Sequence, residues 1–335
     1  MTNLRSSPKT LHAAEDPEPA TPAPGTAPEG NQALVVCGRR QEIGTRVVLW
    51  SEEGGWVCPN KRGRIRCRQH DPALNDQPTR PESAYRILDP GPAYEDLTQT
   101  VHQLILHYDV CYCSWQCHQL MKDSTFKGSQ FYLDLDGTIY QTCDLYWKTN
   151  TGPGDDRIGN ERSVHVEMAN LSWEARAEES TLYRVPEDQY QHRNGEWRLI
   201  LPEPYRDKLR TPGFVPRPAR AYGKRGYFSR RVNGKIVRMW DFTEEQYQAL
   251  IRLCLGLHHL LPAIELNVPY DPVTRRIPLD RLPDFSTFRG VLGHAHTQKG
   301  STPGLGPKYD PGAAFDWSRL RRAFEKEKAR QVRAF

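Results

Sequence analysis

Three residues far apart in this chain share one chemistry. His107 closes the apolar run Leu104-Ile105-Leu106, His294 follows Gly293, and Asp310 opens the run Asp310-Pro311-Gly312-Ala313-Ala314-Phe315-Asp316-Trp317. Two imidazoles and a carboxylate are a donor set that zinc takes while keeping one position open for water. Lys308 stands just before Asp310 and would project near the same ion, where a fixed cation stabilises a developing oxyanion. The combination reads as metal-assisted hydrolysis.

Glu167 lies inside the run Ser163-Val164-His165-Val166-Glu167-Met168. A carboxylate in such a strand is costly unless it is paired or used. His102, His118 and His296 are the rival imidazoles. His102 should precede the buried stretch, whereas His296 would share a face with His294 if that segment is a strand. Eight cysteines are present, most densely in Cys111-Tyr112-Cys113-Ser114-Trp115-Gln116-Cys117-His118. That group lacks the Cys-x2-Cys spacing of zinc ribbons and the surround of a papain-like nucleophile, so it reads as buried, reduced, unreactive thiols.

The elements that must position these side chains follow from periodicity. Residues 1–31 hold six prolines among Ala, Thr and Glu and read as a disordered lead. Ala33–Cys37 and Thr45–Trp50 are strand-like, with a turn at Glu53-Gly54-Gly55, so residues 32–83 read as a β-rich extension closing in a loop from Pro59 to Pro81. The main domain is expected over 84–323, with residues 324–335 as a basic tail. Within it, Leu104–Tyr108 and Ser163–Met168 are strands, and Ser114–Lys122 is a short helix with Cys117, Leu120 and Met121 on one side. Asp136-Gly137 between β-formers signals a two-residue hairpin. Thr243-Glu244-Glu245-Gln246 is a capping box opening a helix that Pro262 ends. Strands and helices interleave, so the fold class is α/β (α+β), a mixed central β-sheet flanked by helices.

Residues 172–238 form a long polar insertion with hairpin signals at Asn194-Gly195 and Asn233-Gly234. Its aromatics, Trp173, Tyr183, Trp197, Tyr205, Phe214, Tyr222, Tyr227 and Phe228, lie among many arginines. They suit either a surface that stacks on sugar rings or a flap packed onto the domain.

Composition narrows the class of function. A mean hydropathy of −0.73 with 26% charged residues describes a polar chain, and no stretch has the roughly 18–20 apolar residues of a membrane span. The N-terminus lacks the apolar centre of a secretory signal, which points to a cytoplasmic protein or one exported by a route that reads no such signal. The net charge is +5, and glutamates alternate into the densest basic stretch, 319–330, so it reads as a solvated helix face and not a nucleic-acid arm.

Taken in order, the strand ending in His107, the hairpin Ser129–Gln141, Trp147, Asn160-x-x-Ser163-x-x-x-Glu167, the capped helix, Gly293-His294 and Lys308-x-Asp310-Pro311-Gly312-x-x-Phe315-x-Trp317 resemble the zinc-dependent N-acetylmuramoyl-L-alanine amidases, which share a fold with the peptidoglycan recognition proteins. The resemblance covers about residues 95–323, the insertion excepted. It implies that fold, zinc held by His107, His294 and Asp310, Glu167 as the general base, and Lys308 as the oxyanion's partner. The implied reaction is cleavage of the amide between N-acetylmuramic acid and L-alanine in peptidoglycan or its fragments. The alternative is a non-catalytic muropeptide-binding module on the same fold. Gln130 and Lys148 stand where the family usually has histidines, and Lys148 could replace the second as a donor. The loop Gln298–Pro307 is longer than usual, so Lys308 and Asp310 hang from a longer tether.

Overall fold

A computed structural model of the 335-residue chain describes residues 30–58, 90–122, 127–152, 156, 158–171, 173–174, 189–300 and 306–333. Most of the N-terminal lead, the 59–81 segment, Cys67 and Tyr183 lie outside the described residues.

The strands read at Leu104–Tyr108 and Ser163–Met168 lie inside the central sheet. The first described elements are β1 (Ala33–Val36), β2 (Arg39–Glu42), β3 (Val47–Leu49), α1 (Pro90–Thr100) and β4 (Gln103–Tyr108). They are followed by α2 (Ser114–Lys122), β5 (Phe131–Leu133), β6 (Ile139–Gln141), α3 (Gly159–Arg162) and β7 (Ser163–Met168). Every residue of β4 and of β7 is buried, as expected of strands covered on both faces. Beyond the insertion come α5 (Glu244–Leu260), β13 (Gly290–Gly293) and α6 (Trp317–Arg333). The central sheet has the order β13-β4-β7-β5-β6-β3. It is mixed: β13, β4, β7 and β5 are parallel, β6 is antiparallel to β5, and β3 is parallel to β6.

Two boundaries differ from the sequence reading. The 32–83 extension does not stand apart, because its β3 is the edge strand of the central sheet. The break placed at 323/324 falls within α6, a single helix held down by buried Trp317, Leu320 and Phe324. The helical spacing of those three residues carries the apolar stripe past the break.

Local chemistry explains the turns. The β5–β6 connection is one residue longer than the two-residue hairpin expected, since Asp134 N–H donates to the Thr138 carbonyl at 2.9 Å. Gly137 takes φ +78°, the left-handed residue that closes a three-residue hairpin. In α2 the buried row is Ser114, Cys117 and His118, while Leu120 is 66% exposed and not on the inner side. In α5 the capping box forms as written: the Thr243 hydroxyl accepts from Gln246 N–H, and the Gln246 side chain accepts from Thr243 N–H.

The insertion carries β8 (Trp173–Glu174), β9 (Tyr190–Arg193), β10 (Glu196–Leu199), α4 (Glu203–Arg206), β11 (Phe228–Val232) and β12 (Lys235–Met239). Strands β9 and β10 pair with each other, while β11, β12 and β8 form a three-stranded sheet. Both Asn-Gly turns have positive φ at each position, the signature of tight type I′ hairpins. Trp197, Tyr205, Phe214 and Tyr227 pack around a satellite core that includes Tyr190, Leu199 and Trp240. Those aromatics behave as a packed flap, whereas Tyr222 is 66% exposed.

Candidate metal centre

Sheet register assembles the site. Strands β4 and β7 set His107 opposite Glu167, and β5 sets Tyr132 opposite Glu167. Strand β13 pairs Gly293 with Leu106, so the chain delivers His294 one residue further on, level with His107. This row lies at the C-terminal ends of parallel strands, where open α/β sheets bind ligands. Asp310 arrives on a segment that crosses Gly293. Ala295 N–H donates to the Asp310 carbonyl at 2.8 Å, and a Cβ on Gly293 would meet Pro311 Cδ at 2.3 Å. Only glycine permits that approach.

The three sequence candidates converge. His107 Nδ1 lies 2.9 Å and His294 Nδ1 3.1 Å from the same oxygen, Asp310 Oδ2. All three side chains are buried, with their ligand atoms within 4.8 Å of one another.

Hydrogen-bond partners fix the tautomers, and these decide whether the trio suits a cation. Ser163 Oγ donates to the Gly159 carbonyl at 2.6 Å, so it accepts from His165 Nε2–H at 2.9 Å. His165 Nδ1 is then an acceptor and takes the His107 Nε2–H at 3.0 Å. On the other ring, His294 Nε2 faces Gln298 Oε1 at 3.3 Å and must donate to it, because Gln298 Nε2 is already donating to the Gly306 carbonyl. With Nε2 hydrogen-bonded on the far side of each ring, both imidazoles turn Nδ1 toward the same carboxylate oxygen. Two imidazole nitrogens and a carboxylate oxygen converging in a buried spot are a zinc donor set. The residues fit the metal.

Electrostatics agree. Burial pulls His107 down to about 4 despite its Asp310 partner, leaving the ring neutral near pH 7. Burial alone would raise Asp310, but the two imidazoles hold its carboxyl well below the usual range. Burial first and the Asp310 charge second push Glu167 up to about 8, while the Lys308 and Lys127 charges oppose that rise. Lys308 is exposed, yet its charge is felt at both His107 and Glu167.

The rival histidines have other duties. His102 faces the Thr100 and Ser286 carbonyls, and His118 stacks on Trp56 with ring centroids 5.1 Å apart. His296 lies in a 3-10 turn, His294–His296, and not in a strand. Its Nδ1 accepts from Gly293 N–H at 2.9 Å and its Nε2 donates to the Pro278 carbonyl at 2.8 Å, so both nitrogens are spent.

Gln130 is a structural clip. Its Oε1 accepts from the Thr149 hydroxyl and from His165 N–H. Lys148 is buried in an ion pair with Glu161, which removes it as the substitute donor. Asp109, Cys111 and Cys117 also bring ligand atoms within 4.8 Å of one another. Burial and Asp134 push the neighbouring Cys113 thiol up to about 12, so it is no thiolate nucleophile.

Three contributors escaped the sequence reading: the Ser163–His165 pair, Lys127, and Asn233 at the tip of the β11–β12 hairpin. Ser163, His165 and Glu167 alternate with Val164, Val166 and Met168, so period-two alternation puts them on the face that carries His107. That pattern was available. No local signal marks Asn233.

No family model matches the chain, and no curated protein does. A solved crystal structure of a selenomethionine AmpD derivative aligns over 68% of this chain and 86% of that one, with 14% identity and a TM-score of 0.30.

Proposed function

We propose that this chain is a zinc-dependent amide hydrolase acting on the bond between N-acetylmuramic acid and L-alanine of peptidoglycan or its fragments. The observation that carries the hydrolase reading is the convergence of His107 Nδ1, His294 Nδ1 and Asp310 Oδ2 beside the buried Glu167. Zinc held by these three would supply Lewis acidity, polarising a carbonyl and bringing a water's pKa toward neutrality.

The chain's own residues do the rest. Glu167 takes a proton from the attacking water and passes it to the leaving amine nitrogen. Burial and the Asp310 charge raise the Glu167 carboxyl in the metal-free chain, and the charge of a bound zinc would favour the ionised form that takes the proton. The Lys308 ammonium balances the oxyanion that develops on the attacked carbonyl. The muramyl amide as substrate rests on the motif order from His107 to Asp310 and the resemblance it supports.

Mass spectrometry of muropeptides before and after incubation with zinc-loaded protein tests the reading. The expected result is loss of the stem peptide with an intact lactyl group on the sugar. Stoichiometric zinc with unchanged, unbound muropeptides would sink the substrate assignment, and binding without cleavage would favour the recognition module.

A further inference from the structure

The β11–β12 hairpin of the insertion ends in Asn233-Gly234, and its asparagine does not point to solvent. Asn233 is 7% exposed. Its Nδ2 lies 2.9 Å from the Ala295 carbonyl, 3.2 Å from that of Gln298 and 2.7 Å from that of Lys308. Its Oδ1 accepts from Arg281 N–H at 2.9 Å. The surroundings allow one amide orientation only, since three acceptors face one end and a donor faces the other.

The carbonyls it joins are significant. Ala295 follows His294, and Lys308 lies just before Asp310. Between them the chain leaves at Gln298 and returns at Lys308, where Lys308 N–H donates to the Gln298 carbonyl at 3.2 Å. Closing such an excursion costs conformational entropy, and a free neck would let Asp310 drift relative to His294. One buried side chain on another element holds both sides of the neck. We infer that Asn233 is a positioning residue for the metal centre, and that the insertion acts on the site by pinning the His294 and Lys308–Asp310 segments together.

This inference rests on the metal reading above. Asn194 supplies the internal control: it occupies the same kind of Asn-Gly turn with φ +53°, but its side chain is exposed. The experiment is chelator competition for zinc on the full chain, with the visible d–d spectrum of the cobalt-substituted protein as a second readout of ligand geometry. Asn233→Asp keeps the turn and the Arg281 contact while turning a donor into an acceptor against three carbonyls. Asn233→Gly keeps the backbone conformation and removes the pin, and it serves if the aspartate variant does not fold.

The expected result is a 10- to 100-fold loss of zinc affinity, the usual effect of losing a group that orients metal ligands. It should come with an altered cobalt spectrum and a lower kcat at unchanged KM, while Asn194→Asp matches wild type. Wild-type affinity and spectrum in both Asn233 variants overturn the inference alone. A wild-type protein that takes up no metal overturns the metal reading and this inference with it. A lower melting temperature with unchanged metal affinity assigns Asn233 a merely structural role and also overturns it.

Discussion

His107 and Glu167 are cross-strand partners on the parallel strands β4 and β7, in register at the sheet's C-terminal edge. Neighbouring parallel strands lie roughly 4.8 Å apart, so the candidate ligand and candidate base are held by backbone pairing and not by a loop. The pair moves only if the sheet moves. This separates the roles of the two residues experimentally, because either side chain can be changed without altering the strand that carries the other.

The first test is of metal content. Purified protein should carry about one zinc per chain, and His107→Ala or His294→Ala should lose both metal and activity, since two donors rarely retain zinc. Elemental analysis reads the outcome. Full zinc content in the His294 variant, with His296 intact, would show that the wrong histidine was chosen.

Glu167→Gln should keep the metal and the fold while the turnover rate falls by roughly 10² to 10⁴, the range for a positioned acid–base group. Removing the titration should also abolish the pH dependence of kcat that Glu167 contributes. Activity within a few-fold of wild type would reduce Glu167 to a structural carboxylate.

How far the sequence reaches depends on whether a signal is local. Strands β4 and β7, helix α2, both Asn-Gly hairpins and the Thr243 cap were legible, because each is set by periodicity or by residues three or four apart. His107, His294 and Asp310 were legible as a candidate trio by residue type and order, and the fold brings them together. Residue 324 was misread as a tail boundary because Phe324 extends an apolar stripe already interrupted by charges. The contribution of β3 to the main sheet depends on pairing with β6, some ninety positions later, and no local pattern reveals its partner. Asn233 is the extreme case. Its sequence says hairpin turn, correctly, and is silent about the three carbonyls that the fold brings to it.

The Ser163–His165 relay makes a prediction of its own. His165 accepts from His107 Nε2–H and thereby leaves His107 Nδ1 free as a donor atom. His165→Leu removes that acceptor and allows the other tautomer, so zinc affinity should fall roughly 10- to 100-fold. Ser163→Ala, one step further away, should cost less. Equal affinity across wild type and both variants, measured by chelator competition, would show that the relay does not set the tautomer.

His296 supplies the pH dependence of stability. Burial draws its imidazole down from 6.5 to about 4 in the folded chain, and a proton on Nδ1 would face the Gly293 N–H it now accepts from. Between pH 4 and 6.5 the unfolded chain binds a proton at this site that the native chain refuses. The stabilisation is therefore complete above pH 6.5 and is lost as pH falls toward 4, with an upper bound of roughly 3 kcal/mol at about 1.4 kcal/mol per pKa unit. His107 titrates in the same direction, so the contribution of His296 must be read as a difference. Urea unfolding of metal-free wild type and His296→Gln at several pH values isolates it. The advantage of wild type over the variant should shrink steadily from pH 6.5 to pH 4, and a constant advantage across that window would show that the buried imidazole is not refusing the proton.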